Sequence, residues 1–157
     1  YMHRFNYLLF NSLAGISFFI ILQWCFSSCG HIHQSDSAEA CVDSFSQHYF
    51  NWQFQRSMPF VTPTSQKWLR YVASQVQQDD VEQLRNMPQG ATYKIINVDT
   101  EDGDSVAVSH VLVRGFLCMD TIGKKSHVVD EATYEIKLHY QGGKWLVNLD
   151  GLPKKVK

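Results

Sequence analysis

The spacing of apolar residues changes character once in this chain, near Ala91, and that change limits its architecture more than any other feature. Upstream, Cys41, Phe45, Tyr49 and Trp52 recur at steps of four, four and three. Trp68, Leu69, Val72 and Val76 repeat the pattern, which is the spacing of one face of an α-helix. Downstream, apolar and polar residues alternate, the period of a strand with one buried face. Helices followed by antiparallel strands predict an α+β domain in which N-terminal helices pack on a single sheet.

Local signals divide these regions into elements. Asp36 with Glu39 reads as a capping box, and the helix it opens is expected to end before Pro59, because the residue preceding proline avoids the α region. Thr62-Pro63 restarts a helix by supplying an N-cap and a proline at the first helical position. A short third helix over residues 79–85 would turn Val81 and Leu84 inward. Strands are predicted over residues 92–98 and 106–119, joined by an acidic turn, and Gly115 marks a bend or bulge in the second. Tyr134, Ile136, Leu138 and Tyr140 share one face of a third strand, with Thr133, Glu135, Lys137 and His139 on the other. Gly142-Gly143 then turns the chain into a fourth strand, with Trp145, Val147 and Leu149 inward.

The N-terminus carries an address. Arg4 precedes an apolar run over residues 7–22, interrupted by Asn11, Ser12 and Ser17, in the order of a signal peptide. Phe26-Ser27-Ser28-Cys29 resembles the lipobox of bacterial lipoproteins, with small residues just before the cysteine. The resemblance implies a signal peptide over residues 1–28, acyl chains on Cys29 that hold the protein on a membrane, a tether over residues 29–36 and a domain over residues 37–157. Gly30, in place of an aspartate, implies outer-membrane sorting, facing the periplasm or the exterior. The other reading of the same run is an uncleaved span over residues 7–26.

Composition excludes some functions. Fourteen Lys and Arg against fifteen Asp and Glu give a net charge of −1, which provides no field to attract nucleic acid. His31 and His33 on a tether do not make a metal site, and the acidic turn at Asp99, Glu101, Asp102 and Asp104 lacks a full calcium loop. The sequence contains no G-x-S-x-G, H-E-x-x-H, P-loop or C-x-x-C motif, and no cofactor is expected. Cys41 and Cys118 are read as two buried thiols, with a disulfide as the alternative.

The element order, the glycine at position 115 and the closing Gly143-Lys144-Trp145 hairpin together resemble the nuclear transport factor 2-like superfamily over residues 37–152. That resemblance implies a cone, with helices laid on a strongly curved antiparallel sheet and a pocket at its mouth. Catalytic members use an acid or histidine beside a tyrosine, which singles out His110, Asp43 and Tyr49. Tyr49, Trp52, Trp68, Tyr71 and Arg114 are the corresponding pocket candidates. The expectation is a lipid-anchored, non-catalytic module for a small apolar ligand or an envelope protein, compatible with a homodimer. An isomerase- or hydrolase-like enzyme and a membrane-anchored secretion-system subunit are the alternatives.

Overall fold

Ser37 opens the helical layer: its hydroxyl oxygen accepts a hydrogen bond from the Ala40 N–H at 3.1 Å and caps helix α1 (Ala38–Tyr49). The computed structural model describes residues 37–101 and 105–156. The predicted signal peptide, Cys29, the tether, Asp36 and the tip of the acidic turn lie outside the described residues. Helix α1 buries Cys41, Val42, Phe45 and Ser46 along one stripe. It does not continue to Pro59. The backbone turns left-handed at Trp52, with φ of 58°, and a short helix α2 (Phe54–Ser57) runs into a 3-10 turn (Met58–Phe60) that holds Pro59.

Helix α3 (Gln66–Ser74) starts beyond the predicted Thr62 cap, because Thr62 is engaged elsewhere. Its N–H donates to the Val147 carbonyl at 2.9 Å, and its hydroxyl lies 2.6 Å from that of Ser65. The segment between α2 and α3 is thereby tied to the sheet, where Val61 and Val147 form a parallel bridge. Helix α4 (Gln78–Asn86) is capped by Asp80, whose Oδ2 accepts from the Gln77 N–H at 2.9 Å while Oδ1 accepts from the Ser126 hydroxyl. Asp80 is therefore buried, whereas Val81 and Leu84 are only partly so.

The strands are β1 (Thr92–Glu101), β2 (Val106–Cys118), β3 (His127–Gln141), β4 (Lys144–Val147) and β5 (Lys154–Lys155). They form one antiparallel sheet in the order β1-β2-β3-β4, with β5 also on β3. Gly142 and Gly143, at φ of 62° and 82°, make the two-residue turn between the paired Gln141 and Lys144. Tyr140 is an exception to the expected inward face: it is 48 % exposed, with its ring 5.5 Å from that of Trp145.

Two local devices decide which side chains face the helices. On β2, Ala107, Ser109, Val111 and Val113 point into the core. Past Gly115, which adopts φ of 58°, the inward set moves to Phe116 and Cys118. On β3 the switch falls at Asp130 and Glu131, both exposed, between the inward Val129 and Ala132. Pairing of Arg114 with Glu131 and of Phe116 with Val129 keeps a single register, so both strands turn over together. On β1 the register slips between Ile95 and Asn97, a bulge that leaves Ile96 55 % exposed. The result is an α+β domain whose core, including Phe45, Leu69, Val111, Ile136 and Leu138, lies between the helices and one sheet face.

Candidate functional site

The face switch at Gly115 and the helix break at Trp52 meet at one end of the core. The Trp52 indole N–H donates to the Leu117 carbonyl at 2.8 Å, which pins the break to the far end of β2. Phe50, the residue that ends α1, packs its ring 5.9 Å from Phe116 and 5.1 Å from Tyr134. Tyr49 packs 5.0 Å from Phe45 and 5.7 Å from Phe54. These rings do not close completely. They leave a cavity of about 150 Å³ with Tyr49, Phe50, Trp52 and Phe54 on the helical side and Val72 from α3. Phe116, Leu117, Cys118, Met119 and Tyr134 form its sheet side, and Leu152 and Pro153 its third wall. The lining residues Asp120 and Lys155 are exposed and mark the mouth.

The polar end of this cavity is held neutral. Cys118 is a free thiol; its Sγ donates to Asp120 Oδ1 at 3.4 Å and lies 3.4 Å from the Tyr134 hydroxyl. Burial pushes the thiol above its ordinary range; the Tyr134 hydrogen bond opposes this and the one to Asp120 adds to it. Burial also raises the Tyr134 phenol, with the Cys118 hydrogen bond adding to it. Tyr49 is raised by burial first and by Cys118 second. A thiol kept protonated is a poor nucleophile, and phenols raised in this way neither donate a proton readily nor act as bases at neutral pH. The arrangement suits binding of a neutral group better than bond-making.

The residues expected from the sequence are only partly brought together. Tyr49 and Trp52 line the cavity. Trp68 packs against the core outside the cavity lining, with Lys67 Nζ 5.3 Å from its ring, and Tyr71 is 50 % exposed. Arg114 lies on the opposite sheet face, where its Nε donates to Glu131 at 2.6 Å. His110 shares that outer face, with Nδ1 3.0 Å from Asn97 Oδ1. Asp43 is exposed and accepts a hydrogen bond from the Tyr93 hydroxyl at 2.8 Å. Burial and the Asp43 bond raise that phenol as well. His110, Asp43 and Tyr49 therefore occupy three separate places and form no acid–base constellation. The reason is strand parity: the helices cover the odd positions of β2 up to Val113, which leaves His110 and Arg114 on the far side.

Phe50, Phe116, Cys118, Asp120, Tyr134 and Lys155 were not singled out from the sequence as a site. The signal that could have found three of them is Gly115 itself, since a left-handed glycine that reverses parity turns Phe116 and Cys118 toward Tyr134. Cys41 is buried away from this group, with its thiol directed at the Phe60 carbonyl at 3.5 Å. Among the described residues no group of three or more His, Cys, Asp or Glu is placed to hold a metal ion. Nor is any described helix long and apolar enough to cross a membrane.

No protein-family model and no curated protein matches the chain. A crystal structure of the intermembrane-space region of the chloroplast protein ARC6 is similar at 10 % sequence identity and a TM-score of 0.35, covering 76 % of this chain and 96 % of that one. A score this low does not establish a shared fold.

Proposed function

We propose that this domain is a non-catalytic binding module that holds a small, mostly apolar molecule in the cavity between the α1–α2 joint and the end of β2. The observation that carries the reading is the cavity: about 150 Å³ of space, walled mainly by aromatic and aliphatic side chains and open at a mouth that bears Asp120 and Lys155. A largely apolar space of that size is large enough for a single aromatic ring. The separation of His110, Asp43 and Tyr49 supports binding over catalysis.

Thermal unfolding of the chain with and without toluene tests this reading. A ligand that binds only the folded state raises the melting temperature as its concentration passes its dissociation constant. The expected result is a saturable rise that Leu152→Phe abolishes by filling the cavity from its partly buried rim. A melting temperature that toluene leaves unmoved would refute the reading.

We further propose that the domain is a nuclear transport factor 2-like cone carried on a lipid anchor at Cys29 in a bacterial outer membrane, facing the periplasm or the exterior. Helices before strands, the reversal at Gly115 and the Gly142-Gly143 hairpin support the first part. The Phe26-Ser27-Ser28-Cys29 sequence supports the second. Intact mass of the membrane-fraction protein tests the anchor. Wild type should show residues 29–157 plus acyl chains, a species that Cys29→Ala lacks; an unprocessed mass in both would exclude it.

A further inference from the structure

The cavity contains a polar group with no protein partner. Tyr49 lines the cavity, and among the described residues its hydroxyl makes no hydrogen bond to another protein group; burial first, and the nearby Cys118 second, raise its phenol. Its neighbours at the same end are already engaged. The Cys118 proton goes to Asp120, which leaves the Tyr134 hydroxyl to donate to the sulfur and keep its own lone pairs for an incoming group. Among the described residues Ser46 Oγ is the fully buried side-chain oxygen without a partner, so the Tyr49 hydroxyl keeps access to the cavity, where a ligand's acceptor can take the place of water.

Resting on the cavity reading above, we infer that the bound molecule is a neutral, ring-sized compound bearing one hydroxyl or comparable oxygen group, with that oxygen at Tyr49 and its apolar body against Phe50 and Phe116. A hydroxyl fits both sides of the polar end: it accepts from Tyr49 and donates to Tyr134. An anion does not fit. The thiol and both phenols are held neutral, and among the described lining residues the one cation, Lys155, is offset by the acid Asp120. A carboxylate entering would lose its hydration without gaining a dedicated counter-charge.

Calorimetric titration of the full chain at neutral pH with toluene, p-cresol and p-toluate separates these features. An unpartnered hydroxyl makes p-cresol bind more weakly than toluene, whereas a hydrogen bond from Tyr49 makes it bind more tightly, by roughly three- to tenfold. The expected order is p-cresol, then toluene, with p-toluate weakest, and Tyr49→Phe brings p-cresol to toluene's affinity or below while leaving toluene within about twofold. The inference is overturned if p-cresol binds wild type no more tightly than toluene, if p-toluate binds most tightly, or if the p-cresol preference survives in Tyr49→Phe. Toluene binding without any preference for p-cresol overturns this inference and leaves the cavity reading standing. Binding of none of the three overturns both. The order of the three probes on wild type decides the matter even if Tyr49→Phe fails to fold.

Discussion

Trp52 and Leu117 are joined by a 2.8 Å hydrogen bond from the indole N–H to the main-chain carbonyl, across 65 positions of sequence. Trp52 has the left-handed backbone that side-chain-bearing residues avoid, at a cost of about 1–2 kcal/mol, so tertiary contacts must hold it there. Trp52→Phe keeps much of the ring packing but leaves the Leu117 carbonyl without this donor. A loss of about 1–2 kcal/mol in urea unfolding is expected, with the fold retained. A change within experimental error would mean that packing alone sets the joint.

A second tie lies next to it. The Asn51 side chain accepts from the Ala91 N–H at 2.9 Å and donates to the Gln47 and Ala91 carbonyls at 2.9 and 3.3 Å. A Cβ on Gly90 would meet Asn51 Oδ1 at 2.5 Å, so Gly90→Ala must displace the same side chain. Each of Asn51→Ala and Gly90→Ala is expected to cost about 1–3 kcal/mol. In a double-mutant cycle the combined loss should fall well short of the sum, because the second change removes contacts already gone. Simple additivity would show that Gly90→Ala acts elsewhere.

Gly115 isolates backbone strain from crowding. A Cβ there meets nothing within 4 Å, yet φ is 58°. Gly115→Ala should therefore cost about 1–2 kcal/mol from conformation alone, and Gly115→Asn less, since asparagine tolerates the left-handed region. Equal losses from the two substitutions would argue that the site is crowded or rearranges.

The domain class was legible because hydrophobic period is a local property: the buried stripe of α1 and the inward Tyr134, Ile136 and Leu138 of β3 follow from their own residues. Three features were not. The break at Trp52 depends on Leu117, 65 positions away, and a helical stripe running through Tyr49 and Trp52 gives no sign of it. The core face of β2 was ambiguous because valines and leucine occupy both parities up to Gly115, and only the helices' choice of Val111 and Val113 assigns His110 to the outside. The cavity was half legible. Tyr49 and Trp52 could be named, but Phe116 and Cys118 join them only once the parity reversal at Gly115 is known.

Alkaline pH should destabilise the domain. Cys118 is raised above the usual thiol value of 9.0, and Tyr49, Tyr93 and Tyr134 above the usual phenol value of 10.0. Above those usual values the folded chain holds protons that the unfolded chain has released, so stability falls as pH rises. The contribution of each group is complete below its unfolded value and is lost as pH climbs toward the folded one. Urea unfolding should accordingly weaken from pH 9.0 upward and more steeply past pH 10.0, by at most about 1.4 kcal/mol per pH unit for each group. Cys118→Ala should flatten the interval between those two values; an unchanged slope there would assign the effect to other groups.

The central claim, that a ring-sized molecule enters the cavity beside the α1–α2 joint, is tested most directly by the tryptophan side-chain N–H resonances of the 15N-labelled protein. Trp52 lines the cavity and Trp68 lies outside it. Titration with toluene is expected to shift the Trp52 indole resonance along a saturating curve while Trp68 stays in place. No saturable shift at Trp52, or equal drift of both resonances, would contradict it.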